Sequence, residues 1–196
     1  MENKIVFISW VSGSGKTTII KKLLKTDKFI YAPSYVTRKM RTWEINGDKY
    51  NFISEEKFKK SIENWEFIEY ELEHQGWYYW TKHEIEKLLD WNKIPIKEVD
   101  VHGFKKIIQS WKFNGRIVSI FLDVPDDVMM QRMQWRDKID QEELNKRIEK
   151  AKVEREIAKE ICDCILDFRG GENDLEKNFI KIKNTLNEQF GEDIFD

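Results

Sequence analysis

The chain has 196 residues, of which 40% are hydrophobic and 36% charged, and its formal net charge is −2. That length supports one compact domain with room for a small insert, and that apolar content sets it apart from disordered chains. The charge balance lacks the positive excess that a nucleic-acid groove or a basic membrane patch needs, and no apolar run approaches the ~20 residues of a membrane span.

Ile5-Val6-Phe7-Ile8 is a short apolar run, read as a buried strand, and no leader precedes it, so the chain is expected to be cytoplasmic. Thr17 to Lys25 reads as a helix with Ile19, Ile20, Leu23 and Leu24 at helical spacing. Residues 33–53 read as irregular, with short extended pieces. Helical spacing returns from Ser54, a plausible N-cap, to Glu63. Glu66 to Tyr70 and Tyr78 to Thr81 read as short strands, and Lys82 to Leu89 as a helix. Ile94 to Val101 reads as a core strand, weakened by Pro95 and Lys97. A helix over Gly103 to Ser110 and an apolar strand over Arg116 to Val124 follow. Then come helices over Asp126 to Gln134 and Gln141 to Glu160, a strand over Cys162 to Phe168, and a last helix over Asp174 to Phe190. Residues 191–196 read as a loose acidic tail. Two cysteines, Cys162 and Cys164, are too few for a zinc site and read as half-buried apolar residues. The alternation of strands and helices predicts an α/β fold: a parallel core sheet flanked by helices, interrupted by an insert.

Between the first strand and the first helix lies Ser12-Gly13-Ser14-Gly15-Lys16-Thr17-Thr18. Glycines let the backbone curl so that several N–H groups face one anion, and the helix N-terminus adds partial positive charge. In such a P-loop, Lys16 reaches the β- and γ-phosphates and the Thr17 hydroxyl ligates Mg²⁺. The motif G-x-x-x-x-G-K-[ST] asks for glycine at its first position, where this chain has Trp10. A bulky residue there is expected to strain the turn.

Four further segments accompany the P-loop. They are Thr37-Arg38-Lys39-Met40-Arg41 with Glu44, Asn46-Gly47 and Asp48-Lys49-Tyr50; Glu66 to Tyr70 with Tyr78-Tyr79 and Thr81; Glu98 to Gly103; and Arg132 to Arg136 with Arg147. In this order and spacing the sequence resembles the guanylate kinases from about residue 4 to 190. The resemblance implies a P-loop kinase fold with a core over 1–32, 93–125 and 161–190. It also implies a GMP-binding insert over 33–92 and a helical lid over 126–160. The activity it implies is transfer of phosphate from ATP to GMP, and to dGMP, with Mg²⁺ as cofactor. ATP and GMP are then the partners, with no nucleic acid or membrane involved.

The chemistry of each segment suits its implied role. Arg38 and Arg41 carry guanidinium forks that fit phosphate oxygens, and Tyr50 and Tyr79 add neutral O–H donors. One carboxylate, Glu69, can accept both N1–H and N2–H of guanine, whereas adenine offers an acceptor at N1. Ser34, Thr81 and Asp100 are the resemblance's other candidates around the base. Glu98 and Asp100 end a strand facing the ligand crevice, where the resemblance has them hold Mg²⁺ through water or contact the GMP side. Arg132, Arg136 and Arg147 would close over ATP, with Arg136 and Arg147 stabilising the transferring group. The bare residues allow plainer readings, a solvated basic loop for Arg38 and Arg41 and i, i+4 helix pairing for the lid arginines. The sequence departs from the family at Val36, Met40 and His102, and no adenine-side residue is assignable.

Trp10, Trp43, Trp65, Trp80 and Trp135, five of the eight tryptophans, stand where guanylate kinases usually have glycine. Some bacterial lineages read UGA as glycine and others as tryptophan. A gene of the first kind translated by the second table gives this pattern, and the native protein would then carry glycine at these positions; the alternative is a genuinely Trp-rich, diverged or inactive protein. Two other functions compete: a catalytically impaired guanylate-kinase-like binding domain, and a P-loop kinase for another small phosphorylated acceptor. Retention of Lys16, Arg136 and Arg147 argues against the first, and Glu69 with the Arg38, Arg41, Tyr50 and Tyr79 set against the second.

Overall fold

A computed structural model describes residues 4–73, 76–81, 88–89, 92–109, 115–136, 140–168 and 172–195. The apolar N-terminal run is β1 (Ile5–Trp10), the middle strand of a five-stranded sheet. It pairs in parallel with β7 (Ile94–Glu98) on one side and β8 (Ile117–Asp123) on the other. Beyond β7 lies β2 (Phe29–Tyr31), and beyond β8 lies β9 (Cys164–Asp167), both also parallel. The alternation of side chains along β1 divides the core in two. Val6 and Ile8 face a large cluster that includes Ile19, Ile20 and Leu23 of α1 (Lys16–Leu23). Ile5 and Phe7 face a smaller cluster with Phe104 and Ile107 of α3 (Val101–Gln109), where the Phe7 and Phe104 rings lie 5.2 Å apart. A strand buried on both faces is expected to be apolar, and this one is except for Ser9, whose buried hydroxyl donates to Val99 O at 2.9 Å.

Pro95 sits inside the sheet rather than at an edge. Its neighbours satisfy the β2 side, with Ile94 N–H donating to Lys28 O at 2.7 Å and Ile96 O accepting from Ala32 N–H at 2.8 Å. The missing proline N–H therefore falls on the β1 side, one residue before the paired stretch opens at Val6 opposite Ile96. The strand also stops at Glu98, three residues short of the expected end, because Asp100 starts a helix.

The insert builds a second, four-stranded sheet in the order β4–β3–β6–β5. It consists of β3 (Ser34–Val36), β4 (Tyr50–Phe52), β5 (Phe67–Glu73) and β6 (Gly76–Thr81). Pairing is parallel between β3 and β4 and antiparallel elsewhere. Helix α2 (Glu55–Glu63) is capped as expected, the Ser54 hydroxyl accepting from Lys57 N–H at 3.2 Å. It covers one face through Phe58, which stacks on Phe67 with ring centroids 5.5 Å apart. The expected helix over 82–89 lies outside the described residues except at 88–89.

After β8, α4 (Asp126–Arg136) buries Met129 and Met133, and α5 (Gln141–Ile161) is capped by Asp140. Arg155 fixes α5 to its base. Its fork donates to Asp123 Oδ1 at 2.8 Å, Asp126 Oδ1 at 2.6 Å and Val124 O at 2.7 Å. The last helix is α6 (Glu172–Phe190). The expected loose tail is corrected: Ile194 is buried in the main core and the Phe195 ring lies 5.6 Å from that of Phe29. Two apolar residues outweigh the acidic character of the segment, and Asn187 secures it by accepting from Ile194 N–H at 3.0 Å.

Among the described residues Trp65 is the only non-glycine residue with positive φ, 56°. Its side chain is 89% exposed, so no packing holds it there. The left-handed region costs a residue with a Cβ about 1–2 kcal/mol, offset by the extra freedom glycine has when unfolded. Trp65→Gly is therefore expected to stabilise the protein by about 0.5–1 kcal/mol, read as a higher denaturant midpoint at unchanged slope.

Candidate functional site

The turn from β1 to α1 is shaped by Gly13 at φ 78° and Gly15 at φ 84°. Gly15 is the N-cap of α1 and offers no side-chain cap, which keeps the helix entrance open to an external anion. The Ser14 hydroxyl is buried with no hydrogen-bond partner. Such a group costs about 1–3 kcal/mol, which a phosphate oxygen would relieve. Ser12, Thr17 and Thr18 flank these residues, with both threonines exposed. The strain expected at Trp10 is not found: β1 continues through it opposite Leu122, and the left-handed residues come later, at the glycines. Instead its ring meets Lys16, whose Nζ lies 3.4 Å from the ring centroid.

Lys16 Nζ also donates to Glu98 Oε2 at 2.5 Å. Glu98 Oε1 accepts from Lys49 Nζ of the insert and from the Tyr31 hydroxyl, each at 3.1 Å. One carboxylate at the end of β7 thus joins the P-loop to the insert. Burial pushes the Glu98 carboxyl up, but the Lys16 and Lys49 ammoniums outweigh it and hold it below the usual carboxylate range. Burial and the adjacent Glu98 charge push the Tyr31 hydroxyl well up, so it remains a donor.

Arg132 reaches from α4 to the P-loop, its Nη1 donating to Gly13 O at 2.7 Å. Beside it, a cavity of about 270 Å³ is lined by Gly13, Ser14, Gly15, Thr18, Ile19 and Arg132, with Phe168, Leu175 and Asn178 closing the far side. Ile19, Phe168 and Leu175 give it apolar walls suited to a flat ring next to the phosphate turn. The last three lining residues come from β9's end and α6, which no local sequence signal connects to residue 13.

On the insert, Arg38 is buried and forks onto Glu44 in a bidentate pair, Nη2 to Oε1 at 2.5 Å and Nη1 to Oε2 at 2.6 Å. Its guanidinium lies 5.1 Å from the Tyr50 ring centroid and 5.3 Å from that of Phe52. The same carboxylate accepts from Arg41 N–H at 2.8 Å, while the Arg41 side chain is exposed. Glu44 therefore shapes the whole arginine loop, a role the sequence did not reveal. Its partner six residues away across a turn is the only local trace.

Ser34 opens β3 opposite Tyr50. Asp100 caps α3, its Oδ1 accepting from His102 N–H at 2.9 Å and Gly103 N–H at 3.0 Å. Arg147 pairs with Glu143 one turn back on α5 at 2.7 Å, the plain helix-surface arrangement. The backbones of Glu69, Tyr79 and Thr81 lie in the four-stranded sheet opposite Trp80, Tyr35 with Tyr70, and Phe67. A register shift falls between Phe67 and Glu69, the kind of bulge that re-aims a side chain beside a site. The side chains of Glu69, Tyr79, Thr81 and Arg136 lie outside the described residues. Cys162 and Cys164 are unpaired with each other, and burial pushes the Cys162 thiol up to about 12.

A model of the family described as guanylate kinase matches residues 2–189. The guanylate kinase of Mesomycoplasma hyopneumoniae strain 7448 is 33% identical over 193 residues, covering 95% of both chains. That of Campylobacter jejuni strain RM1221 is 35% identical over 157 residues, covering 79% of this chain and 76% of its own. A crystal structure of guanylate kinase from Anaplasma phagocytophilum superposes with a TM-score of 0.71 at 22% identity, covering 98% of this chain and 88% of that one, a likeness of fold.

The Arg38 fork pulls the Glu44 carboxyl down to about 2 from an ordinary 4.5. A carboxyl lowered on folding stabilises the protein above its unfolded pKa and loses that contribution as pH falls through the folded one. Stability is thus expected to fall between about pH 4.5 and 2 more steeply in the wild type than in Glu44→Gln, measured by denaturant midpoints across that range. At neutral pH the same variant is expected to cost about 1.5–3 kcal/mol, the worth of hydrogen bonds to a charged group.

Proposed function

The chain belongs to the guanylate kinase family, and from that premise we propose that it is an ATP:GMP phosphotransferase acting through the residues gathered around Glu98. The observation that carries the residue-level reading is the Lys16–Glu98–Lys49 bridge, which ties a phosphate cradle to a second, arginine-bearing site. A kinase that transfers directly between two nucleotides needs two such sites sharing one seam.

In this reading the P-loop receives the β- and γ-phosphates of ATP. Lys16 exchanges Glu98 for phosphate oxygens, and Ser14 gains the acceptor it lacks. The adenine ring takes the cavity between Arg132 and Phe168. Arg38, Arg41, Tyr50 and Tyr79 hold the GMP phosphate; Glu69, Ser34 and Thr81 face the base. Asp100 supports this side through the helix entrance it caps. Arg136 and Arg147 turn in from the lid as it closes, Arg147 leaving Glu143, and spread over the oxygens of the transferring group. The GMP phosphate oxygen displaces ADP in line, yielding GDP.

Mg²⁺ suits the oxygen donors available. The Thr17 hydroxyl and the ionised Glu98 carboxylate would share it with the phosphates, since a hard cation of this kind takes few protein ligands beside its nucleotide. Bound there, it would neutralise charge on the β- and γ-oxygens. Among the described residues no helix is long and apolar enough to cross a membrane. A cytoplasmic location fits the substrates.

A coupled ADP-release assay tests the reading, offering GMP, dGMP, AMP and UMP to the chain as written and to protein with glycine at positions 10, 43, 65, 80 and 135. GMP is expected to be the best acceptor for both, and no turnover with GMP by either would falsify the proposal. Trp10→Gly removes a ring–ammonium contact of about 0.5–2 kcal/mol and is expected to tighten ATP binding by about two- to thirtyfold. Glu69→Gln should lower the preference for GMP over AMP by about 10–100-fold while leaving the ATP KM unchanged. Equal loss for both nucleotides would make Glu69 structural.

A further inference from the structure

Lys97 stands in the middle of β7 with 3% of its surface exposed. A lysine in an interior strand gains nothing from burial unless its ammonium is satisfied. Its Nζ donates to Ala32 O at 3.2 Å and to the Ser34 hydroxyl oxygen. Ala32 and Ser34 lie on the segment that carries the chain from the five-stranded sheet into the insert. The contact therefore joins the core to the residue that opens the acceptor-side sheet, 63 positions away in sequence.

A serine hydroxyl can donate or accept, so by itself it reads a base edge ambiguously. An ammonium has three donors and no acceptor. Bonded to one, the Ser34 oxygen has one of its two lone pairs already committed, and its own proton points away from Lys97 toward a third group. The adjacent positive charge also polarises the hydroxyl and makes it a stronger donor.

We infer that Lys97, through this bond, biases the Ser34 hydroxyl toward donating, and that Lys97 is thereby a specificity-determining positioning residue for the purine base. The inference rests on the reading that the insert receives GMP. A guanine held by a carboxylate at N1–H and N2–H presents O6 next on the same edge, a carbonyl acceptor. Adenine presents an amino group there, which would meet the Ser34 proton donor to donor. Lys97 touches neither base; it fixes the direction of the group that does. Lys97→Met removes the donor while keeping length and apolar bulk, and the Ser34 hydroxyl is then free to turn.

Steady-state kinetics with GMP and 6-thio-GMP isolate this contact, because the two differ only in the acceptor at position 6 and sulfur is the weaker one. The wild type is expected to prefer GMP by about tenfold, through KM rather than kcat, as for one lost hydrogen bond to a base. In Lys97→Met and in Ser34→Ala that preference should shrink to within about twofold, with the ATP KM unchanged. The double variant should show no further change, because both single changes remove the same contact. Lys97→Arg, which keeps a donor, should retain most of the preference. A folded Lys97→Met with the wild-type ratio overturns the inference, as does an unchanged ratio in Ser34→Ala. Should Lys97→Met not fold, Lys97→Leu decides, since it too offers Ser34 no donor and the ratio must then collapse. Failure of the wild type to turn over GMP would instead remove the functional reading, and this inference with it.

Discussion

Glu98 is the constraint on which the site depends. A half-buried carboxylate in a sheet crevice is unfavourable alone, and here two ammoniums and a phenol offset its desolvation. Each partner comes from a different part of the chain: Lys16 from the P-loop, Tyr31 from the strand β2, Lys49 from the insert. The three could not be brought within hydrogen-bond reach without the parallel order β2–β7–β1, which sets the ends of β1 and β7 side by side. The electrostatics thus depend on the topology, and the topology depends on β1 being apolar on both faces.

A second carboxylate works the same way within the insert. Glu44 holds Arg38 through a fork and Arg41 through its backbone, so the arginine loop is formed before any phosphate arrives. Both candidate phosphate sites therefore hold their cations against protein carboxylates. A bound phosphate would substitute one anion for another, which spares the reorganisation of a flexible cation.

How much of this was legible in the sequence differs by residue. Gly13 and Gly15 announced the P-loop because their role is local: the turn needs positive φ within three residues. Ser54 was legible as a cap for the same reason. The bonds of Asp100 Oδ1 to His102 and Gly103 also make it a cap, which the spacing before an apolar run could have suggested. Pro95 and Lys97 argued against an interior strand only because their compensations lie elsewhere: β1 pairing that begins one residue later, and Ser34 across the molecule. The tail misled because composition averaged over Ile194 and Phe195, whose destination is Phe29 and the main core. The cavity wall from Phe168 and α6 left no local trace at all. What the sequence hid, then, was chiefly the tertiary partner of each charged group.

The insert's separate small core, where Phe58 and Phe67 are buried among the described residues, has a consequence for how the protein breathes. Among those residues two dozen buried side chains seal the main sheet, whereas Phe58 and Phe67 pack with Tyr35, Ile53 and Ile62 beside the four-stranded one. Amide hydrogens of β3 and β4 should thus exchange through a partial opening well below the free energy of global unfolding, while those of β1 and β8 wait for the whole domain. A ligand seated against the insert would raise that partial opening by its own binding free energy and leave the core amides less affected. The amides of β3 and β4 would then report on occupancy of the insert.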